Sequence, residues 1–129
     1  MNKRLPYFLI ILILVIGVYF LVTMNTGGID EPDVNDDPEY ISYTFRNEKL
    51  LREHFEKHGI EMGFASEEEY EKAASDAANN PDALHKLEKE DGDDVYYIEE
   101  TNEFVVISTD GFIRTYFCPD SGKKYYDKQ

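Results

Sequence analysis

Three side chains have the types and spacing for chemistry: His54, His58 and Arg114. His54 and His58 are four residues apart, so on a helix they project from one face. Two imidazoles that titrate near neutrality can serve as general acid and base, or they can chelate a metal. For zinc the HxxxH spacing supplies only two ligands. Phe55 stands where an HExxH site has its general base, and Cys118 or His85 would have to complete the set. The structural alternative makes both histidines polar edges of an apolar stripe beside Leu51 and Phe55. Arg114 lies in the run FIRTYFC, where alternation groups Phe112, Arg114, Tyr116 and Cys118 on one face and Ile113, Thr115 and Phe117 on the other. A guanidinium inside an aromatic strand is solvated, paired with a carboxylate or anion-binding, because burying it alone is costly.

The aromatic residues admit two readings. Tyr96, Tyr97, Tyr116, Phe117, Tyr125 and Tyr126 have the content of a base-stacking platform, but no basic groove accompanies them. With 10 Tyr, 8 Phe and no Trp, strand tyrosines that fill a small core are the simpler explanation.

Positioning these groups needs helices first and strands after. Asn47 to His58 reads as a helix, with Leu50, Leu51, His54, Phe55 and His58 at three-to-four spacing and Gly59 as its C′ residue. A second helix runs from about Glu67 to Ala78. Ser66 and Glu69 form a capping box, and Tyr70, Ala73, Ala74, Ala77 and Ala78 make an apolar stripe small enough for close approach. Asn79-Asn80-Pro81 ends it, and Asp82 to Lys89 reads as a short third helix. From Val95 the period becomes two. Strands are expected at 95–99, 104–108, 112–118 and 124–127, joined by short turns. If Asp110-Gly111 is a two-residue turn, Val105 and Ile107 lie beside Tyr116 and Arg114; a three-residue turn shifts that register. The fold class expected is α+β: two or three helices on a three- to four-stranded antiparallel meander.

Ahead of this domain lie two other segments. Leu5 to Met24 is twenty residues without a charge, and at about 1.5 Å per residue a helix of that length spans a bilayer core of roughly 30 Å. No alanine precedes Ala65, so a signal-peptidase site is poorly supplied, and an uncleaved anchor is expected. Lys3 and Arg4 keep the N-terminus cytoplasmic and put the rest of the chain outside the cell membrane. Residues 25–39 are an acidic linker, with six acids between Asp30 and Glu39 and no base. Asp33, Asp36 and Asp37 lack the glycine and spacing of a calcium loop. The domain boundaries are thus 1–24, 25–39 and 40–129.

Charge excludes a polybasic binder of nucleic acid or anionic lipid. The whole chain carries 13 Lys and Arg against 27 Asp and Glu, net −14, and all 27 acids follow the apolar run while only 11 bases do. One cysteine, Cys118, excludes an internal disulfide framework.

The order LLREHFEKHGIEMGFASEEEYEKAA, a gap, then TNEFVVISTDGFIRTYFCPD resembles a small nuclease-type domain of polymorphic bacterial toxins and phage-related proteins, in the broad barnase/EndoU/colicin/RelE-like ribonuclease group. The resemblance covers residues 47–127. Its most specific part is HFxxHGxEFG, here His54 through Gly63 with Met62 in place of Phe, followed by Ser66 to Tyr70 and by Ile113 to Phe117. What it implies is metal-independent RNA cleavage without a cofactor: the 2′-hydroxyl attacks its own phosphodiester and leaves a 2′,3′-cyclic phosphate. His54 and His58 would be the acid and base, Arg114 the transition-state stabiliser, and Thr115 or Tyr116 phosphate contacts. Such a site requires His54, His58 and Arg114 in one open pocket at the helix–sheet junction. The chain departs from the pattern at Cys118-Pro119, where the resemblance implies a lysine, and so lacks the phosphate-binding cation expected there. The partners implied are RNA and the membrane through residues 5–24. The rival expectation is an inert version of the fold, a cell-surface interaction module with a protein partner. A third is a hydrolase that uses the same His/Arg pocket on another phosphodiester.

Overall fold

The computed structural model describes residues 39–129, and Glu39–Gln129 forms one compact unit. No helix among the described residues is long and apolar enough to cross a membrane. The expected span at 5–24 and most of the acidic linker lie outside the described residues.

The elements are β1 (Thr44–Phe45), α1 (Glu48–His54) continuing into a π-helical turn (Phe55–Gly59), α2 (Glu67–Ala78), β2 (Leu84–Leu87), β3 (Asp94–Ile98), β4 (Glu103–Ile107), β5 (Phe112–Phe117) and α3 (Lys123–Asp127). The class is α+β, with a five-stranded sheet in the order β1-β5-β4-β3-β2. The meander β2 to β5 is antiparallel, and β1 joins β5 in parallel through Thr44↔Phe112 and Phe45↔Ile113.

Local chemistry explains most of these boundaries. Asn47 caps α1 by accepting the Leu50 N–H at 2.9 Å, and Ser66 caps α2 by accepting the Glu69 N–H at 3.2 Å. The Glu69 carboxylate returns to the Ala65 N–H at 3.2 Å, a variant of the capping box one residue further out. Gly59 is not the helix terminator. The chain passes it and stops at Gly63 (φ +90°), where Gly63 N–H bonds Ile60 O and Phe64 N–H bonds Gly59 O, both at 3.0 Å, a Schellman ending. Gly59 is needed for space instead: a Cβ there would meet Phe55 Cδ2 at 2.4 Å and Tyr70 Cδ2 at 3.0 Å.

Three elements differ from expectation. Residues 84–87 form a strand where a helix over Asp82 to Lys89 was expected, because LHKL is too short to hold a helix and its backbone pairs with β3. Residues 123–127 are helical, not a strand: Tyr126 turns back onto Tyr97, with ring centroids 5.8 Å apart. The two-residue strand β1 has no periodicity to betray it and exists because β5 offers it an edge.

The main core lies between α1, α2 and the sheet. Tyr70, Ala74 and Ala77 meet Phe45, Val105, Ile107, Ile113 and Tyr116 there, with Tyr70 and Tyr116 fully buried. The alanine stripe of α2 lets the helix approach the sheet closely enough for the Tyr70 hydroxyl to donate to the Tyr116 carbonyl. Burial holds the Tyr70 phenol well above its usual range. The opposite face buries Val95, Tyr97 and Phe104 under Tyr126 of α3.

Candidate active site

β5 carries the candidate site because its pairing is irregular. Val105 pairs with Tyr116 and Val106 with Thr115, but Ile107 pairs with Ile113, so Arg114 is an extra residue in a β-bulge. The β4–β5 connection is a three-residue turn, Thr109 to Gly111, with Gly111 at φ +87° and its N–H on Ser108 O at 2.8 Å. The bulge corrects the expected facing. Strict alternation puts Arg114 with Tyr116 and leaves Ile113 on the other side, whereas Ile113 and Tyr116 share the core and Arg114 is released to the surface.

Released there, Arg114 is anchored by carboxylates. Its Nη1 donates to Asp91 at 2.9 Å and to Asp93 at 2.6 Å. The Asp93 side chain is 4% exposed and also accepts the Thr109 N–H at 3.2 Å. Asp91 and then Asp93 push the guanidinium pKa up, so its charge is permanent.

On the other side of Arg114 is a cleft of about 250 Å³ that it shares with His54, Arg46, Leu50, Ser108, Phe112 and Ile113. Arg46 was not read from the sequence. It follows β1, lies 4.4 Å from the centre of the Phe112 ring and bonds Asp110 at 2.6 Å. The Ser108 hydroxyl and then Arg46 hold the Asp110 carboxyl below its usual range. Sequence carried no signal for Arg46, since only the parallel β1–β5 pairing brings it beside Arg114.

The π turn sets the histidines. Ile60 N–H bonds Phe55 O five residues back, at 3.1 Å, which widens the helix where His58 leaves it. The two imidazole centroids are 6.1 Å apart. His54 lies against Phe45 at 5.1 Å, and its Nδ1 is buried with no hydrogen-bond partner among the described residues. Burial, His58 and Lys57 lower its pKa against an opposing pull from Glu53. His58 stacks on Phe117 at 5.1 Å, and burial followed by Lys57 lowers its pKa against Glu61. Both rings are therefore neutral at pH 7, and a neutral ring has a lone pair to accept a proton.

The expected convergence is met only in part. His54 and Arg114 line one cleft. His58 lines its neighbour, with Glu61, Met62, Phe117, Cys118 and Asp120 among the other walls. Thr115 opens on the far sheet face with Val106 and Asp91, in a third cleft that Arg114 also lines, so Arg114 borders both faces. Tyr116, expected as a phosphate contact, is fully buried with its hydroxyl on Glu103, and burial and then that carboxylate push its pKa far up. A group so enclosed offers a substrate nothing, because the strand register that aims Tyr116 at α2 removes it from the surface. His85 sits on β2, with Nε2 2.6 Å from Asp94 and its ring stacked on Tyr96.

No family model matches the chain, and no curated protein does. Among solved structures it is similar to a ribonuclease from Escherichia coli complexed with its inhibitor protein. That similarity is 20% identity over 60% of this chain and 95% of that one, with a TM-score of 0.48.

Proposed function

We propose that residues 40–129 form a metal-independent endoribonuclease domain held outside the cell membrane by residues 5–24. The observation that carries this reading is the cleft that His54 lines together with two guanidiniums, Arg46 and Arg114, with His58 one ring away. Two guanidiniums are suited to the non-bridging oxygens of a phosphodiester and to the phosphorane that replaces it.

The imidazole environments divide the roles. A proton on the buried, unpartnered Nδ1 of His54 would lack an acceptor, so the neutral ring carries its proton on Nε2. His58, neutral and beside an open cleft, is the base that takes the 2′-hydroxyl proton. His54, entering the reaction as the imidazolium of the singly protonated pair, gives its proton to the departing 5′-oxygen. Arg46 supplies a cation to a site that lacks the lysine expected at position 118.

The second reading is an inert surface interaction module. One observation favours it: Arg114 already has two carboxylates on Nη1. RNA cleavage by the full chain in detergent micelles, with EDTA present and beside His58→Ala and Arg46→Ala controls, decides between them. Cyclic-phosphate ends that disappear in both variants are expected. A folded chain that leaves labelled RNA intact selects the interaction module.

A further inference from the structure

The cleft on the other side of His58 has a chemistry unlike the first. It holds about 290 Å³, room for a planar heterocycle. One wall is aromatic: the His58–Phe117 pair, with Met62 beside it. Phe117 is itself braced edge-on by Tyr125 at 5.3 Å and by the tilted ring of Phe104 at 5.3 Å. Asn102 stiffens the far wall by accepting the Tyr97 hydroxyl at 2.8 Å and donating to Pro119 O at 3.0 Å. The rim carries Glu61 and Asp120 and, among the described residues, no lysine or arginine. The charge of Glu61 reaches into the cleft, where it acts on both His58 and Cys118.

An aromatic wall with a carboxylate rim cannot hold a phosphate, but it suits a nucleobase. Stacking accepts any base. The rim does not, because carboxylates only accept hydrogen bonds. Cytosine, adenine and guanine each present an exocyclic amino group. Uracil presents two carbonyls around one N–H, and these would face the carboxylates.

We infer that the Glu61–Asp120 cleft is the nucleobase subsite next to the scissile phosphate, that it takes amino-bearing bases, and that it rejects uracil. This rests on the ribonuclease reading for its placement beside His54, and it names the substrate class of that site.

The test uses 2′-deoxynucleoside 3′-monophosphates, which share one phosphate and cannot be cleaved, titrated calorimetrically into the full chain in detergent micelles. The cytosine, adenine and guanine nucleotides should bind about tenfold more tightly than the uracil nucleotide, the worth of a hydrogen bond to a charged group. Glu61→Gln with Asp120→Asn, both at exposed positions, should close that gap without lowering affinity for uracil. Equal affinity for all four, or a gap that survives both substitutions, overturns the subsite. Base discrimination in a chain that never cleaves RNA leaves the subsite standing and rejects the nuclease. Cleavage with no discrimination does the reverse.

Discussion

At the residue scale, the two histidines govern how the domain responds to pH. Each is held below the unfolded value of about 6.5, His54 by burial and His58, and His58 by burial and Lys57. Neighbouring imidazoles share protons as a pair, so the singly protonated form that transesterification needs is populated on the acid side of that value. The pH profile of kcat/KM should therefore peak below about pH 6.5, and a maximum above pH 7 would exclude this pair as the acid and base. His58→Ala should lower kcat/KM by about 10²–10⁴-fold with KM little changed, as loss of a general base does. The buried tyrosines have a structural role. Tyr70→Phe leaves the Tyr116 carbonyl without its donor and should cost about 1–3 kcal/mol in urea unfolding, with RNA cleavage unaffected at temperatures where the variant is folded. Both histidines and Arg114 were visible in the sequence because their types are rare in such surroundings. Arg46 was not, being one of many charges whose meaning depends on a neighbour 64 residues away, Asp110.

At the element scale, the π turn and the bulge do the positioning. Each is one residue out of step with a regular element, and each sits beside a candidate group: the π turn at His58, the bulge at Arg114. Gly59→Ala would force a Cβ onto the Phe55 and Tyr70 rings. It should destabilise the domain by about 1–3 kcal/mol and displace His58 from Phe117, which imidazole shifts in NMR spectra would report. α2 was legible to the residue, because a cap, a 3.6-residue stripe and a terminal Asn-Asn-Pro all agreed. β2 and α3 were misread for a shared reason: over four or five residues, alternation and helical spacing mark nearly the same positions.

At the scale of the whole molecule, charge works against the proposed substrate. From residue 39 onward 22 acids face 11 bases, so RNA meets repulsion before it reaches the cleft of His54 and the two arginines. Raising ionic strength toward 0.15 M, where the Debye length is about 8 Å, should speed cleavage; polybasic RNA binders respond in the opposite sense. Stability should also follow the histidines. Between their lowered folded values and about 6.5 the unfolded chain binds more protons, so stability is full above pH 6.5 and falls as pH drops through the folded values. The thermal midpoint of the wild type should decline from pH 7 to pH 5.5, and less steeply in His54→Phe.

The sequence by itself determined the α+β class, the placing of α1 and α2 ahead of the antiparallel meander, the α2 boundaries and the candidate imidazole pair. All of these follow from local periodicity, caps and residue chemistry. Only the tertiary structure decided which face Arg114 takes, that Arg46 joins it, that Tyr116 is sealed inside, and that His54 and His58 open onto two clefts, one lined by arginines and the other by carboxylates. Those outcomes turn on one extra residue in β5 and one widened helical turn. Both are held by contacts between segments further apart in the chain, Arg114 with Asp93 and His58 with Phe117, where no local pattern records them.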